Sequence, residues 1–200
     1  DEASSLGVQH ISAYSLMYEE GTPLFRLLNE KKIKEINEET SLKMYEMLIE
    51  SLTNNGFEHY EISNFALPGY RSKHNSSYWK QIPYLGIGAS AHSYNIVSRQ
   101  WNIADVKDYI RFVNSSSHEY IEETEHLTDT ERYNDIITTT LRTSDGIDTR
   151  TLPQRHRDFI LKASQKHIAL GNLSLDNGII RLTRQGLFIS DSIMVDLIEE

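Results

Sequence analysis

Apolar positions recur along this chain with two periods, and the alternation between them lays out its elements. Residues 8–16, VQHISAYSL, mix β-branched and aromatic residues over a strand-like length, bounded by Gly7 and by the turn-forming Glu20-Gly21-Thr22-Pro23. This predicts one buried strand. Leu42, Tyr45, Leu48, Ile49 and Leu52 then fall on one face of a helix over residues 37–55. Asn37 can cap it, its side-chain oxygen taking a first-turn amide, while Glu38 and Glu39 suit the positive end of the helix dipole. Gly56 supplies the left-handed stop. A short strand follows at 57–62, and strand, helix, strand is the order of a parallel α/β unit in which the helix covers the sheet.

Residues 63–84 read as a loop, and 85–93 as another short buried strand whose small residues let backbone or ligand come close. Its Gly86-x-Gly88-x-x-Ala91 spacing resembles a dinucleotide fingerprint, but no long helix opens on those glycines to present amides to a pyrophosphate. Ile103, Val106, Ile110 and Val113 share one side of a further helix, and Ser115-Ser116-Ser117 breaks the pattern at the expected domain boundary. Thr128 and Glu131 have capping-box spacing, opening a helix through Leu141 with Tyr133, Ile136, Ile137 and Leu141 inward. A helix over 155–170 stops at Gly171. Residues 173–175 and 179–182 then flank Asp176-Asn177-Gly178 as a hairpin. Thr183 caps a final helix carrying Leu187, Ile189, Ile193, Met194 and Leu197. Helix, helix, hairpin, helix is a winged-helix-like order.

Composition narrows the function classes. With 38% hydrophobic and 10% aromatic residues the chain can bury a sizeable core. No run approaches a membrane span, and the opening residues DEASSLGVQH have no signal-peptide pattern, so a cytoplasmic setting is expected. Twenty basic against 29 acidic residues, net −9, argue against general attraction to nucleic acid or anionic membrane. The absence of cysteine excludes disulfides, thiolate–zinc sites and cysteine-held iron–sulfur clusters within these residues. The first strand begins so early that further polypeptide is expected to precede it.

Chemistry concentrates in residues 63–94. His74-Asn75-Ser76-Ser77-Tyr78-Trp79 puts an imidazole, a carboxamide and two large aromatics within six residues. A flat hydrophobic ligand would suit it, since imidazole ligates haem iron and aromatic faces stack on a macrocycle. On composition alone, a loop anchored by Trp79 with His74 exposed is the simpler account. His92 stands among small residues. His10 reads as a hydrogen-bonded core histidine, and His59, His118, His126, His156 and His167 as surface residues without metal-site spacing. Glu58 and Glu61 are poorly placed for general acid–base work. From 148 to 185, seven basic residues face three acids, which raises a DNA-binding winged helix as a reading of another class, but the acidic final helix cancels that charge.

Several segments together resemble the oxygen-independent coproporphyrinogen III oxidase-like family of radical S-adenosylmethionine proteins. They are His10-Ile-Ser-Ala-Tyr-Ser-Leu16, Glu20-Gly-Thr-Pro23, Tyr60-Glu-Ile-Ser-Asn-Phe-Ala66, Tyr84-Leu-Gly-Ile-Gly-Ala-Ser-Ala-His-Ser93, and Leu182-Thr-Arg-Gln-Gly-Leu with Ser190-Asp-Ser. Within the family, His74-Asn-x-x-Tyr-Trp79 is similar to the motif of the haem-chaperone branch, HemW. The resemblance implies an α/β fold over residues 1–114, the last strands of a partial TIM-like (β/α)6 barrel with a ligand loop at 63–94. A helical, winged-helix-like domain over 118–200 would follow. It implies haem as ligand, with His74, Asn75, Tyr78 and Trp79 as its contacts and His74 on the iron, and haem-acceptor proteins as partners. It also implies S-adenosylmethionine near Met17 and His92, and a [4Fe-4S] cluster whose cysteine ligands lie outside this chain. These residues alone are therefore expected to perform no radical chemistry. The decarboxylating oxidase of porphyrin biosynthesis is the alternative within the family. Strand edges left open by half a barrel predict a homodimer.

Overall fold

A computed structural model describes residues 2–115 and 122–200. The chain forms two compact units, Asp1–Ser72 and Lys73–Glu200. The boundary expected at Ser115-Ser116-Ser117 falls largely outside the described residues, as does His118.

The first unit runs α1 (Glu2–Ser5), β1 (His10–Ser12), α2 (Pro23–Asn29), α3 (Glu38–Asn54), β2 (Glu58–Glu61) and β3 (Asn64–Ala66). Capping chemistry fixes both longer helices. The Asn37 side chain accepts from the Thr40 amide at 2.8 Å, as the sequence implies. Thr22 accepts from the Phe25 amide at 3.2 Å ahead of Pro23, so the expected turn there also opens α2.

The sheet corrects the parallel α/β reading. Its order is β1-β3-β2 and both pairings are antiparallel. The Glu61 carboxylate explains this: it accepts from the Ser63 amide at 3.0 Å and from the Asn64 side chain, folding β3 straight back along β2 into the place beside β1. The expected nine-residue strand shrinks to three, because β3 offers β1 only three partners, and Tyr14, Leu16 and Met17 are exposed. The register puts Ile11, Phe65 and His59 on one face, against Tyr45, Leu48, Ile49 and Leu52 of α3. Fully buried Phe65 contributes about 2–3 kcal/mol of hydrophobic stabilisation. His59, expected at the surface, stacks on that ring at 4.4 Å. His10 pairs with the Tyr60 hydroxyl at 2.7 Å, as a hydrogen-bonded core histidine should.

The second unit begins with α4 (Lys73–Trp79), β4 (His92–Tyr94), β5 (Ser98–Asn102), α5 (Val106–Val113) and β6 (Glu122–His126). Residues 63–84 are thus not a plain loop, since they hold β3 and α4. The strand expected over 85–93 survives only as β4. Gly88 at φ +115° and Ser90 at φ +60° turn the chain, leaving Leu85 and Ile87 79% and 85% exposed. Sheet order is β4-β5-β6, antiparallel throughout. Helix α5 forms on its Asp105 cap, and Val106, Ile110 and Val113, read as sharing one side, face solvent.

Next come α6 (Asp129–Thr140), β7 (Ile147–Asp148), a 3-10 turn (Thr149–Thr151), α7 (Gln154–Ala163), α8 (Gln165–Ala169), β8 (Leu173–Asp176), β9 (Ile179–Leu182), α9 (Arg184–Leu187) and α10 (Ser190–Leu197). The Thr128–Glu131 capping box forms as read, with Tyr133, Ile137 and Leu141 buried. Asn177 and Gly178, at φ +49° and +79°, make the hairpin turn. The helices expected over 155–170 and after Thr183 are each two, with breaks at Ser164 and at Phe188-Ile189. Strands β7, β9 and β8 pair in that order.

His156 and His167, expected at the surface, are buried against carboxylates: His156 Nδ1 lies 2.8 Å from Glu199, and His167 Nε2 lies 2.8 Å from Asp196. The His156 ring also stacks on Tyr133 at 4.7 Å. Burial would raise the Glu199 pKa, but Arg155 and then His156 pull it below the ordinary 4.5. Asp196 is held below its ordinary 3.8 by His167 and then Lys166. Both folded-state values are depressed, so these carboxylates contribute stability above their ordinary pKa that is lost as pH falls through the folded values. Unfolding free energy should therefore decline from about pH 5 downward. Glu199→Gln with Asp196→Asn should flatten that decline in urea titrations at stepped pH. An unchanged slope would show that other groups govern acid lability.

Candidate functional site

Helix α4 has no apolar period, and one turn separates its two distinctive side chains. His74 and Tyr78, four residues apart, share a face. Their rings meet edge to face at 4.9 Å, and the Tyr78 hydroxyl lies 3.2 Å from His74 Nε2. Both are exposed, whereas Asn75 and Trp79 are half-buried. The Thr140 hydroxyl donates to the Trp79 carbonyl at 3.1 Å, tying the end of α4 to α6.

Behind Tyr78 the aromatic contacts continue inward. Tyr84 meets Tyr78 edge to face at 4.8 Å, and Tyr94 lies 6.1 Å beyond Tyr84. Tyr84 and Tyr94 also exchange backbone hydrogen bonds of 2.9 Å in each direction. Burial, then proximity to Tyr78, raises the Tyr84 pKa, and burial followed by Asp135 raises that of Tyr94. Both phenols accordingly stay protonated at neutral pH. The result is a row from the exposed imidazole to the buried Tyr94 ring. Sequence reasoning did not pair Tyr84 with Tyr94, although the two bracket the small-residue run as the ends of a hairpin would.

His92 is exposed on β4, its ring 6.0 Å from that of its cross-strand partner Trp101. Trp101 in turn donates to Glu123 of β6 at 3.0 Å. The loop ahead of β4 is fixed by polar contacts: Gly86 donates to Ser93 Oγ at 3.0 Å, Gly88 to the Tyr109 hydroxyl at 3.2 Å, and Asn102 to the Gly88 carbonyl at 2.8 Å. Met17 belongs to the other unit, 72% exposed in the irregular segment after β1. Among the described residues no three histidines, aspartates or glutamates are grouped to hold a metal ion. With no cysteine in the chain, its residues do not fit a cysteine-held iron–sulfur cluster.

Comparison with known proteins shows what the chain resembles. Residues 127–189 match the HemN C-terminal domain. Over 195 residues, 96% of the chain, it is 30% identical to the heme chaperone HemW of Bacillus subtilis and spans 51% of that protein. It is 38% identical to HemW of Lactococcus lactis over 106 residues, which are 53% of this chain and 28% of the relative. The fold is similar to that of the Escherichia coli coproporphyrinogen III oxidase HemN, a radical SAM enzyme, at a TM-score of 0.67 and 17% identity over 98% of this chain and 49% of that one. The chain thus spans about half the length of the full-length relative and of the solved structure. This chain is a mixed α/β arrangement of small sheets, without a closed barrel among the described residues, and its fold resembles that of HemN. On these matches the chain is similar to the HemN/HemW group of radical S-adenosylmethionine proteins, and its residues 127–189 match the HemN C-terminal domain.

Proposed function

We propose that this chain takes haem as cargo at α4, within a haem-chaperone protein of the HemW type. The observation that carries the reading is an exposed imidazole one helical turn from a phenol, His74 and Tyr78, in a chain whose relatives are named heme chaperones. In this reading His74 ligates the iron. Its Nε2 is shared with the Tyr78 hydroxyl, so ligation requires that hydroxyl to yield the nitrogen. Tyr78 and Trp79, with Asn75 one turn before them, offer ring edges and polar groups to the macrocycle and its propionates. Tyr84 and Tyr94 hold the Tyr78 ring in place.

Met17 and His92 belong to the same proposal as contacts for S-adenosylmethionine in the longer family proteins, and acceptor proteins as recipients of the haem. The order α6, β7, α7, α8, β8, β9 with sheet order β7-β9-β8 supports a winged-helix architecture. The acidic final helix, which cancels the basic excess over 148–185, favours a role other than DNA binding for it. No helix among the described residues is long and apolar enough to cross a membrane.

Titrating hemin into this chain and into His74→Ala, with the Soret band as readout, tests the assignment. A saturable shift is expected for the parent chain, with affinity falling by roughly tenfold or more in the variant as one axial bond is lost. Superimposable titration curves would remove His74 from the site.

A further inference from the structure

The hairpin turn that joins β8 to β9 is also a chemical weak point. We infer that Asn177 is a site of spontaneous deamidation to aspartate and isoaspartate. In that reaction the Gly178 amide nitrogen attacks Asn177 Cγ and gives up its proton to solvent. The Cγ–Nδ2 bond breaks, ammonia leaves, and a five-membered succinimide forms. Water then opens the ring at either carbonyl, so that overall one water is consumed, one ammonia released and no electrons move.

Two Asn-Gly pairs occur in the chain, and the structure separates them. At Asn55-Gly56 the asparagine Nδ2 donates to the Ser51 carbonyl at 2.7 Å and the glycine amide donates to the Thr53 carbonyl at 3.0 Å. Electrophile and nucleophile are both held. At Asn177-Gly178, in the exposed turn between the paired Asp176 and Ile179, neither the asparagine side chain nor the glycine amide makes a hydrogen bond among the described residues. Both reacting atoms are free. The lesion would matter to the fold, because the Gly178 carbonyl accepts from the Thr149 amide and hydroxyl, each at 2.8 Å. Isoaspartate inserts an extra backbone carbon into the turn that presents that carbonyl.

The test is incubation of the intact protein at mildly alkaline pH and 37 °C, native and in urea, with peptide mass spectrometry resolving each asparagine and isoaspartyl methyltransferase counting isoaspartate. In the native protein Asn177 should convert on the order of tenfold faster than Asn55, the margin expected when one of two sites must first open its hydrogen bonds. In urea the two should converge. Equal native rates, or an Asn177 that reacts in urea but is protected natively, would overturn the inference. Asn177→Gly should remove most of the native isoaspartate signal, leaving the slower contribution of Asn55.

Discussion

Gly86→Ala is expected to cost about 3 kcal/mol or more of unfolding free energy and to detach the loop ahead of β4. A Cβ at this position would fall well inside contact distance of the carbonyl oxygen, carbon and nitrogen of His92. Those are backbone atoms of a paired strand, which cannot swing aside as the end of a flexible side chain can. Displacing them would also break the Gly86–Ser93 bond and shift the Tyr84–Tyr94 pair that supports Tyr78. Gly88→Ala separates this clash from backbone strain: nothing lies within 4 Å of its Cβ position, but its φ is +115°. Strain alone should cost about 1–2 kcal/mol. Urea denaturation of both variants decides the matter, and a Gly88→Ala loss equal to that of Gly86→Ala would show that strain, not contact with β4, governs the loop.

Ile137→Ala should cost about 2–5 kcal/mol, because its side chain is fully buried in the face of α6 that also carries Tyr133 and Leu141. Residues packed this tightly collapse only partly around a cavity, so the void adds to the lost transfer energy. Ile136, next in sequence but half-buried, should lose about 1 kcal/mol or less in the same substitution. Similar losses at both positions in chemical denaturation would mean that the buried face of α6 is assigned wrongly.

The elements legible in the sequence are those whose cause is local. Asn37, the Thr128–Glu131 box and the Asn177-Gly178 turn each act within a few residues, and all three form as read. Helix α5 was legible as a helix but not in its surroundings, since a period of apolar residues defines a face without saying what covers it. The pairing of β1 and the burial of His156 and His167 depend on partners far along the chain; His156 and Glu199, for instance, are 43 residues apart. Leu85 and Ile87 misled because branched apolar residues read as buried strand, whereas the φ values of Gly88 and Ser90 turn them outward. At the candidate site the spacing of His74 and Tyr78 was visible. The supporting row through Tyr84 and Tyr94 was not, because a hairpin formed around a glycine-rich excursion brings those rings together.

The insertion of β3 between β1 and β2 also bears on how the first unit assembles. Helix α3, β2 and β3 are contiguous over residues 38–66, so their contacts close short loops. By contrast Ser12 and its partner Asn64 are 52 residues apart. Loop-closure entropy rises with the logarithm of that separation and must be met before the contact returns anything. Of the strand pairings in this sheet, that of β1 therefore closes the largest loop for its three residue pairs, and it rests on a template that the α3–β2–β3 segment builds locally.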